Sequence, residues 1–495
     1  MSVLTPLQKT TRGRICGLAL AVTMLFSAFS AQSQTVSANF ANRSGATKPV
    51  PAGLFGVGGT GSTVRNQAPV NLIATAGMNQ TRFWIALSSV YATSTPNFSA
   101  IDSTLRIMQA SGLHPIAVIY DTPRSLGSRP CAPPSNMWKW GQMAASVVAH
   151  VDRNFRGVLQ DYEIWNEPEL AASFCAANAT AQLNSYVSMF AAASSAMHNQ
   201  ARIDGETIRV GGPVISQLSQ ASRWIPALLN NSSTAPYVNF VSFHLYVTGL
   251  TDIQHGMNWS TLYARTQSPT VGLAHYYKLI EPLVRAGHQP NAWSTPIYIS
   301  EYNDNWAYAV ECCRNNPTYG PLWNSLAVAD LLNVVYTGST AVPSKLNYFN
   351  SAGRDFCILG QWNSAMDCNT SAQYPYPQFF AFKLFASAQY LNLQAGGHMA
   401  ASVSPASTTS GLTATAFYTS KGDDVVVVNP TSANYAAVTV TFINPGLTAG
   451  AATVYLLNSS HSQITTESVT LTRISGGYSA RVAVPAYSTV AVALL

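Results

Sequence analysis

Between residues 54 and 349 the sequence alternates short runs rich in Val, Ile and aromatic residues with longer stretches whose apolar positions recur every three or four residues. Parallel strands need a crossover between them, and a helix of ten or more residues supplies it. The expected strands are 54–58, 80–86, 115–120, 159–165, 208–213, 240–246, 297–302 and 346–349, eight in all. Helical patterns fall between them, among others at 135–154, 179–199, 273–286 and 322–336. Eight βα units predict an α/β chain built on a (β/α)8 barrel, assigned to residues 51–396, with chemistry at the carboxyl ends of the strands.

From residue 397 the helical spacing stops. Strand-like runs at 412–418, 425–428, 437–442, 453–457, 469–474 and 478–495 are separated by turns such as Asn444-Pro445-Gly446 and Ser475-Gly476-Gly477. They predict an all-β sandwich over 397–495. The lead-in at 31–50 has no helix of its own and is a candidate extra strand of that sandwich, a plain connection being the other reading.

Of 495 residues only 9% are charged, and Lys9, Arg12 and Arg14 alone carry three of the six net positive charges. Nothing in that balance points to nucleic acid or to a charged membrane surface. These cations precede the apolar stretch Ile15 to Phe29, too short to span a bilayer, and the small-x-small sequence Ala28-Phe29-Ser30. Residues 1–30 therefore read as a secretory signal peptide, with an uncleaved anchor as the alternative, and the mature protein is expected outside the cytoplasm. Six cysteines remain there: Cys131, Cys175, Cys312, Cys313, Cys357 and Cys368. Disulfides are expected of an even number in an oxidising compartment. Nearness in the chain suggests Cys357 with Cys368, and Cys131 and Cys175 could tie the loops after the third and fourth strands. Neither CxxC nor HExxH occurs, so no metal is expected.

With 20 Asp and Glu in the chain, a search for reactive carboxylates is nearly exhaustive. At strand ends or in the loops beyond them lie Asp121, Glu163, Glu167, Glu169, Glu301, Asp304 and Asp355. Glu167 and Glu301 stand among aromatics at the ends of the fourth and seventh strands, in YEIWNEP (162–168) and IYISEYN (297–303). A carboxylate there is costly unless paired or protonated, so it is either half of an ion pair or a working group. Two on one mouth give the glycosidase pair, one ionised to attack carbon and one protonated to donate to the leaving oxygen. Glu163, four residues before Glu167, sits about 13 Å deeper along the strand and reads as an interior ion-pair partner. Asp304 and Asp355 read as loop carboxylates.

These motifs resemble the large clan of retaining (β/α)8 glycoside hydrolases, whose acid/base and nucleophile end strands four and seven. Within it, YEIWNEPEL, VGGP (210–213), YPYPQFFAFKL (374–384) and the terminal PAYSTVAV (485–492) resemble glycoside hydrolase family 39. The resemblance implies Glu167 as general acid/base, Glu301 as nucleophile, and Asn166 as a partner of the sugar 2-hydroxyl. It also implies that Arg82 lies near Glu301 as the cation that keeps it ionised, with a structural bond to Glu163 as the other reading. Alternation points His244 and Tyr246 the same way, so that one should touch Glu301 or the sugar. Trp84, Tyr120, Trp165, Trp306, Tyr348 and Trp362 are candidate stacking platforms for a carbohydrate substrate, core packing being the alternative for each.

Gly56-Val57-Gly58-Gly59-Thr60-Gly61 matches GxGxxG after a strand, but the next strand carries Arg82 where a dinucleotide fold needs an acidic residue for the ribose. No cofactor is expected. Two readings stay open on sequence: a secreted retaining glycosidase acting on an oligo- or polysaccharide, and an inactive barrel that binds carbohydrate. Glu301 favours the first, since a binding protein needs no nucleophile.

Overall fold

The computed structural model describes residues 34–41, 49–58, 66–287, 294–307, 316–338, 343–349, 358–360, 374–399, 402–405, 411–458 and 463–494. The expected signal segment, Trp362, Asp355, and the cysteines at 312, 313, 357 and 368 lie outside them.

Strand β1 (Gln34–Asn39) precedes eight parallel strands that close into a barrel: β2 (Phe55–Gly58), β3 (Gln80–Ala86), β4 (Ile116–Tyr120), β5 (Asp161–Ile164), β6 (Arg209–Ile215), β7 (Phe240–Thr248), β8 (Ile297–Asn305) and β9 (Pro343–Phe349). The barrel closes where β2 pairs with β9, Val57 opposite Tyr348. Period-two alternation fills it. On β7, Val241, Phe243 and Leu245 join the core shared with the helices, leaving Phe240, Ser242, His244 and Tyr246 for the interior. At the closed end Phe240 stacks on Tyr298 with ring centres 4.0 Å apart. Beneath them Asp161 takes Lys345 at 2.6 Å and Arg209 at 2.5 Å. Burial pushes the Asp161 carboxyl up, but these two cations outweigh it and hold it below its ordinary value. Gly56 belongs to the same interior, where a Cβ would stand 2.1 Å from Asn347 Oδ1; close packing explains that glycine without a nucleotide.

Two of the departures from the expected strand bounds, in β5 and in β8, bear on the site. The fifth ends at Ile164 because Trp165 takes a left-handed backbone, φ 68°. The eighth runs on to Asn305, so Asp304 is a buried strand residue and not a loop carboxylate.

The helices that follow β4 and β5 start at asparagine caps. The Asn136 side chain accepts from Lys139 N at 2.9 Å ahead of helix Met137–Asn154, and Asn178 accepts from Thr180 N and Ala181 N ahead of helix Ala179–Asp204.

The sandwich stacks two sheets. One has the order Ser402–Pro405, β1, Tyr435–Ile443, Gly477–Val484, Thr472–Ile474; the other has His398–Met399, Thr413–Tyr418, Asp423–Asn429, Ser488–Leu494, Ala451–Leu457, Thr465–Thr470. Residues 34–39 thus form a strand here, parallel to Tyr435–Ile443 with Val36 opposite Val440. The central strands of the second sheet, Asp423–Asn429 and Ser488–Leu494, are buried on both faces. Val425, Val427, Val490 and Val492 fill the sandwich core, while Val426, Val428, Ala491 and Ala493 pack with the barrel's helices. Each buried valine supplies roughly 1.5 to 3 kcal/mol of transfer free energy. Polar contacts fix the docking: Trp259 Nε1 donates to the Pro430 carbonyl at 2.7 Å and Asn333 Nδ2 to that of Ala414 at 2.9 Å.

Candidate active site

A cavity of about 640 Å3 opens over the carboxyl ends of the barrel strands, lined by Trp84, Asn166, Glu167, Tyr246, Glu301 and Trp306 among others. Its floor depends on local irregularities in β5, in β8, and in β6, where the register slips between Pro213 and Ile215 and Val214 is left-handed at φ 59°.

On β5, Glu163 faces inward and Ile164 outward. The left-handed turn at Trp165 resets the alternation, sending its indole into the helical layer, where it is 1% exposed. There it packs edge-on to Phe174 at 4.8 Å and donates from Nε1 to the Ser173 carbonyl at 3.1 Å. Trp165 is therefore core and not a stacking platform. Asn166 and Glu167 follow into the mouth, Glu167 again left-handed at φ 47° and pinned by its N–H on the Val214 carbonyl at 3.0 Å.

On β8, Phe243 of β7 pairs with Ile299 but His244 pairs with Glu301, so Ser300 is an extra residue in the strand. Strict alternation would put Glu301 on the outward face with Ile299. The bulge turns it inward.

Arg82, Tyr246 and His244 then converge on Glu167 and Glu301. Arg82 donates from Nε to Glu163 Oε2 at 2.6 Å, from Nη1 to Glu301 Oε1 at 2.5 Å and from Nη2 to Asn166 Oδ1 at 2.8 Å. Arg82 thus bonds Glu163 and Glu301 at once. The Tyr246 hydroxyl donates to Glu301 Oε2 at 2.7 Å. His244 Nδ1 lies 2.7 Å from Glu167 Oε1 and 3.4 Å from Glu301 Oε2. One oxygen of each glutamate and a His244 nitrogen all fall within 4.8 Å of one another.

Burial would lower the pKa of His244, but the charge of Glu301 and the hydrogen bond and charge of Glu167 outweigh it and raise it. Burial would likewise raise Glu167, yet its bond to His244, the His244 charge, Ser216 and Arg82 hold it below its ordinary value. Burial, then Glu301 and Glu167, push Tyr246 well above the usual phenol range, so it stays a neutral donor.

Of the aromatic platforms, Trp84 and Trp306 line the cavity, Trp306 being 54% exposed. Tyr120 stands behind, with its ring 5.2 Å from that of Trp84 and edge-on to it. Tyr348 does not reach the cavity. It alternates outward on β9, fully buried against Tyr302 and Phe382, and the next residue, Phe349, lines the wall instead. Sequence reasoning also passed over Ser216 and Gln217 after β6, and Thr248 at the end of β7 with Gly249 to Asp252 beyond it, which close the sides; their only signal was position at or beyond a strand end. The loops after β4 and β5 are joined by a disulfide, Cys131–Cys175.

A (β/α)8 barrel with a sandwich behind it and two carboxylates this close in one mouth defines a class, the retaining glycosidases; inverting enzymes hold theirs ~6.5–9.5 Å apart to admit a water. The chain belongs to the glycosyl hydrolases family 39, whose model matches residues 77–446. Solved structures similar to it include a family 39 enzyme from Xanthomonas axonopodis pv. citri, with 14% identity over 93% of this chain and 97% of that one and a TM-score of 0.63. A family 39 β-xylosidase from Caulobacter crescentus gives 15%, 93%, 100% and 0.62. A family 30 endoxylanase from Clostridium papyrosolvens C71 gives 16%, 93%, 100% and 0.60. A search among curated protein sequences returned no match.

Proposed function

We propose that this glycosidase cleaves an oligo- or polysaccharide by double displacement, with Glu301 as nucleophile and Glu167 as acid/base, after export directed by residues 1–30. The observation that carries the reading is the approach of the two carboxylates, with oxygens within 4.8 Å across one cavity. Arg82 and Tyr246 each donate to a Glu301 oxygen and aim it, and Asn166, its Oδ1 held by Arg82, keeps Nδ2 for a substrate hydroxyl. In the first step a Glu301 oxygen bonds to the anomeric carbon while Glu167 gives its proton to the departing glycosidic oxygen. In the second, Glu167 takes a proton from water, the resulting hydroxide bonds to the same carbon, and Glu301 leaves. The resting proton is shared with His244 over 2.7 Å, and passes to Glu167 for donation. The disulfide supports export to an oxidising compartment.

Xylan fragments are the first substrates to try, given the xylosidase and xylanase among the similar structures. The test is twofold. A 2-deoxy-2-fluoro glycoside with an activated leaving group is expected to label Glu301, read by mass spectrometry of the peptide. NMR of the first-formed sugar is expected to show a retained anomer. An inverted product, or label on another residue, would overturn the assignment.

A further inference from the structure

Glu169 lies two residues beyond Glu167, is 9% exposed, and is used by no step above. Its Oε1 accepts three hydrogen bonds from the segment after β6: Ser216 N at 2.6 Å, Ser216 Oγ at 2.9 Å and Gln217 N at 2.8 Å. Ser216 and Gln217 line the cavity and Glu169 does not. The Ser216 side chain, which lines the cavity beside Glu167, also favours that residue's charged carboxylate through hydrogen bonding. A hydroxyl has one proton, so it serves one carboxylate at a time. We propose that Glu169 is a positioning residue that holds Ser216 between two carboxylates, and that by competing for the Ser216 proton it sets how firmly Glu167 keeps its own.

The arrangement has a direction. While Glu167 is protonated, Ser216 donates to Glu169, which holds the segment through three bonds. Once Glu167 has lost its proton to the leaving group, the hydroxyl turns to the new carboxylate, and Glu169 retains the two backbone N–H donors. Other groups facing Glu167 are His244 from β7, Arg82 from β3 and Glu301 from β8. Those facing Glu169 are Glu167 and, from helix Ala179–Asp204, the Tyr186 hydroxyl. Burial raises the Glu169 carboxyl and the Glu167 charge adds to this, against the bonds from Gln217 and Ser216. The two carboxylates therefore resist being ionised together.

This inference rests on Glu167 being the acid/base, and the pH profile of kcat/KM separates the two. Glu169→Gln keeps an acceptor for the backbone donors, removes a charge and frees Ser216 for Glu167. The alkaline limb, which reports the proton shared by Glu167 and His244, is then expected to move to lower pH by about half a unit or more, with the acid limb in place. Ser216→Ala, which deprives ionised Glu167 of a donor, is expected to move that limb the opposite way, and in the double variant the effect of Glu169→Gln shrinks. Thermal melting of each variant separates a folding defect from a displaced limb. A folded Glu169→Gln with the wild-type alkaline limb overturns the inference, as do shifts in the two single variants that simply add. Should Glu169→Gln not fold, Ser216→Ala decides alone: an unmoved limb overturns the inference. Failure of the underlying reading appears elsewhere, as Glu167→Ala losing activated and natural leaving groups equally.

Discussion

Arg82 Nη1 stands 2.5 Å from Glu301 Oε1, with both side chains almost wholly buried. The same guanidinium spends its other donors on Glu163 and Asn166, so one planar group sets the relative positions of three strands' side chains. Lysine carries the charge but not the fork. Arg82→Lys is expected to lower kcat by about two to three orders of magnitude with a much smaller change in KM, measured on an aryl glycoside. Arg82→Ala leaves Glu163 buried without its cation and is expected to cost about 3 to 5 kcal/mol in urea unfolding. Near-wild-type kcat in the lysine variant would mean that Arg82 supplies charge alone.

His244 yields a pH-dependent stability. Its folded pKa is raised above its ordinary value of 6.5 by Glu301 and Glu167, against burial. A raised folded pKa gives stability that is complete below the unfolded value and disappears as pH climbs through the folded one. His244→Asn is therefore expected to lower the melting temperature more at about pH 5.5 than at about pH 8.5. A deficit of the same size at both would show that the imidazole stabilises by packing, whatever its charge.

The carboxylates were legible in the sequence because each follows a run of strand-forming residues in unusual company, although β5 stops short of Glu167 and β8 runs past Glu301; their surroundings were legible wherever alternation held: His244 and Tyr246 on β7, and Arg82 and Trp84 on β3. What could not be read were the places where a single residue resets the alternation. The left-handed backbone at Trp165 turns an indole expected in the mouth into core. The extra Ser300 does the reverse, bringing Glu301 inward where strict alternation would send it outward. On β9 an uninterrupted alternation, with a barrel register that sequence does not supply, selects Phe349 over Tyr348. Ser216 was invisible for a related reason, since its bond to Glu169 joins neighbouring strand ends 47 residues apart.

Trp306 offers a test of the cavity's outer wall. It is half-exposed at the end of β8, and Gly249 lies so close that a Cβ there would come within 2.2 Å of Trp306 Nε1. Without a side chain at 249 the indole can lie against the backbone after β7 and show a face to a sugar. Trp306→Ala is expected to raise KM for an oligosaccharide about tenfold, the equivalent of ~1.4 kcal/mol of stacking, while leaving an aryl monosaccharide nearly unaffected. Gly249→Ala should reproduce part of that effect by displacing the ring. Equal losses on both substrates would place Trp306 beside the scissile bond.

The Cys131–Cys175 bond joins the loop after β4 to the segment after β5, across a sequence separation of 44. That segment begins with Asn166 and Glu167 and is already fastened by the Trp165 and Ser173 side chains and by Cys175 N on the Cys131 carbonyl at 2.8 Å. The first loop is held separately, with Thr122 N on the Pro130 carbonyl at 2.7 Å. Replacing both cysteines by serine removes the one covalent link between two structured loops. The loss is expected to be about 2 to 4 kcal/mol, toward the lower figure because the hydrogen bonds remain. Since the tethered segment carries Glu167 but not Glu301, kcat should fall further for substrates with poor leaving groups than for activated ones. Melting curves and paired kinetics on the double serine variant check both statements. An unchanged melting temperature would show that the hydrogen bonds hold the loops unaided.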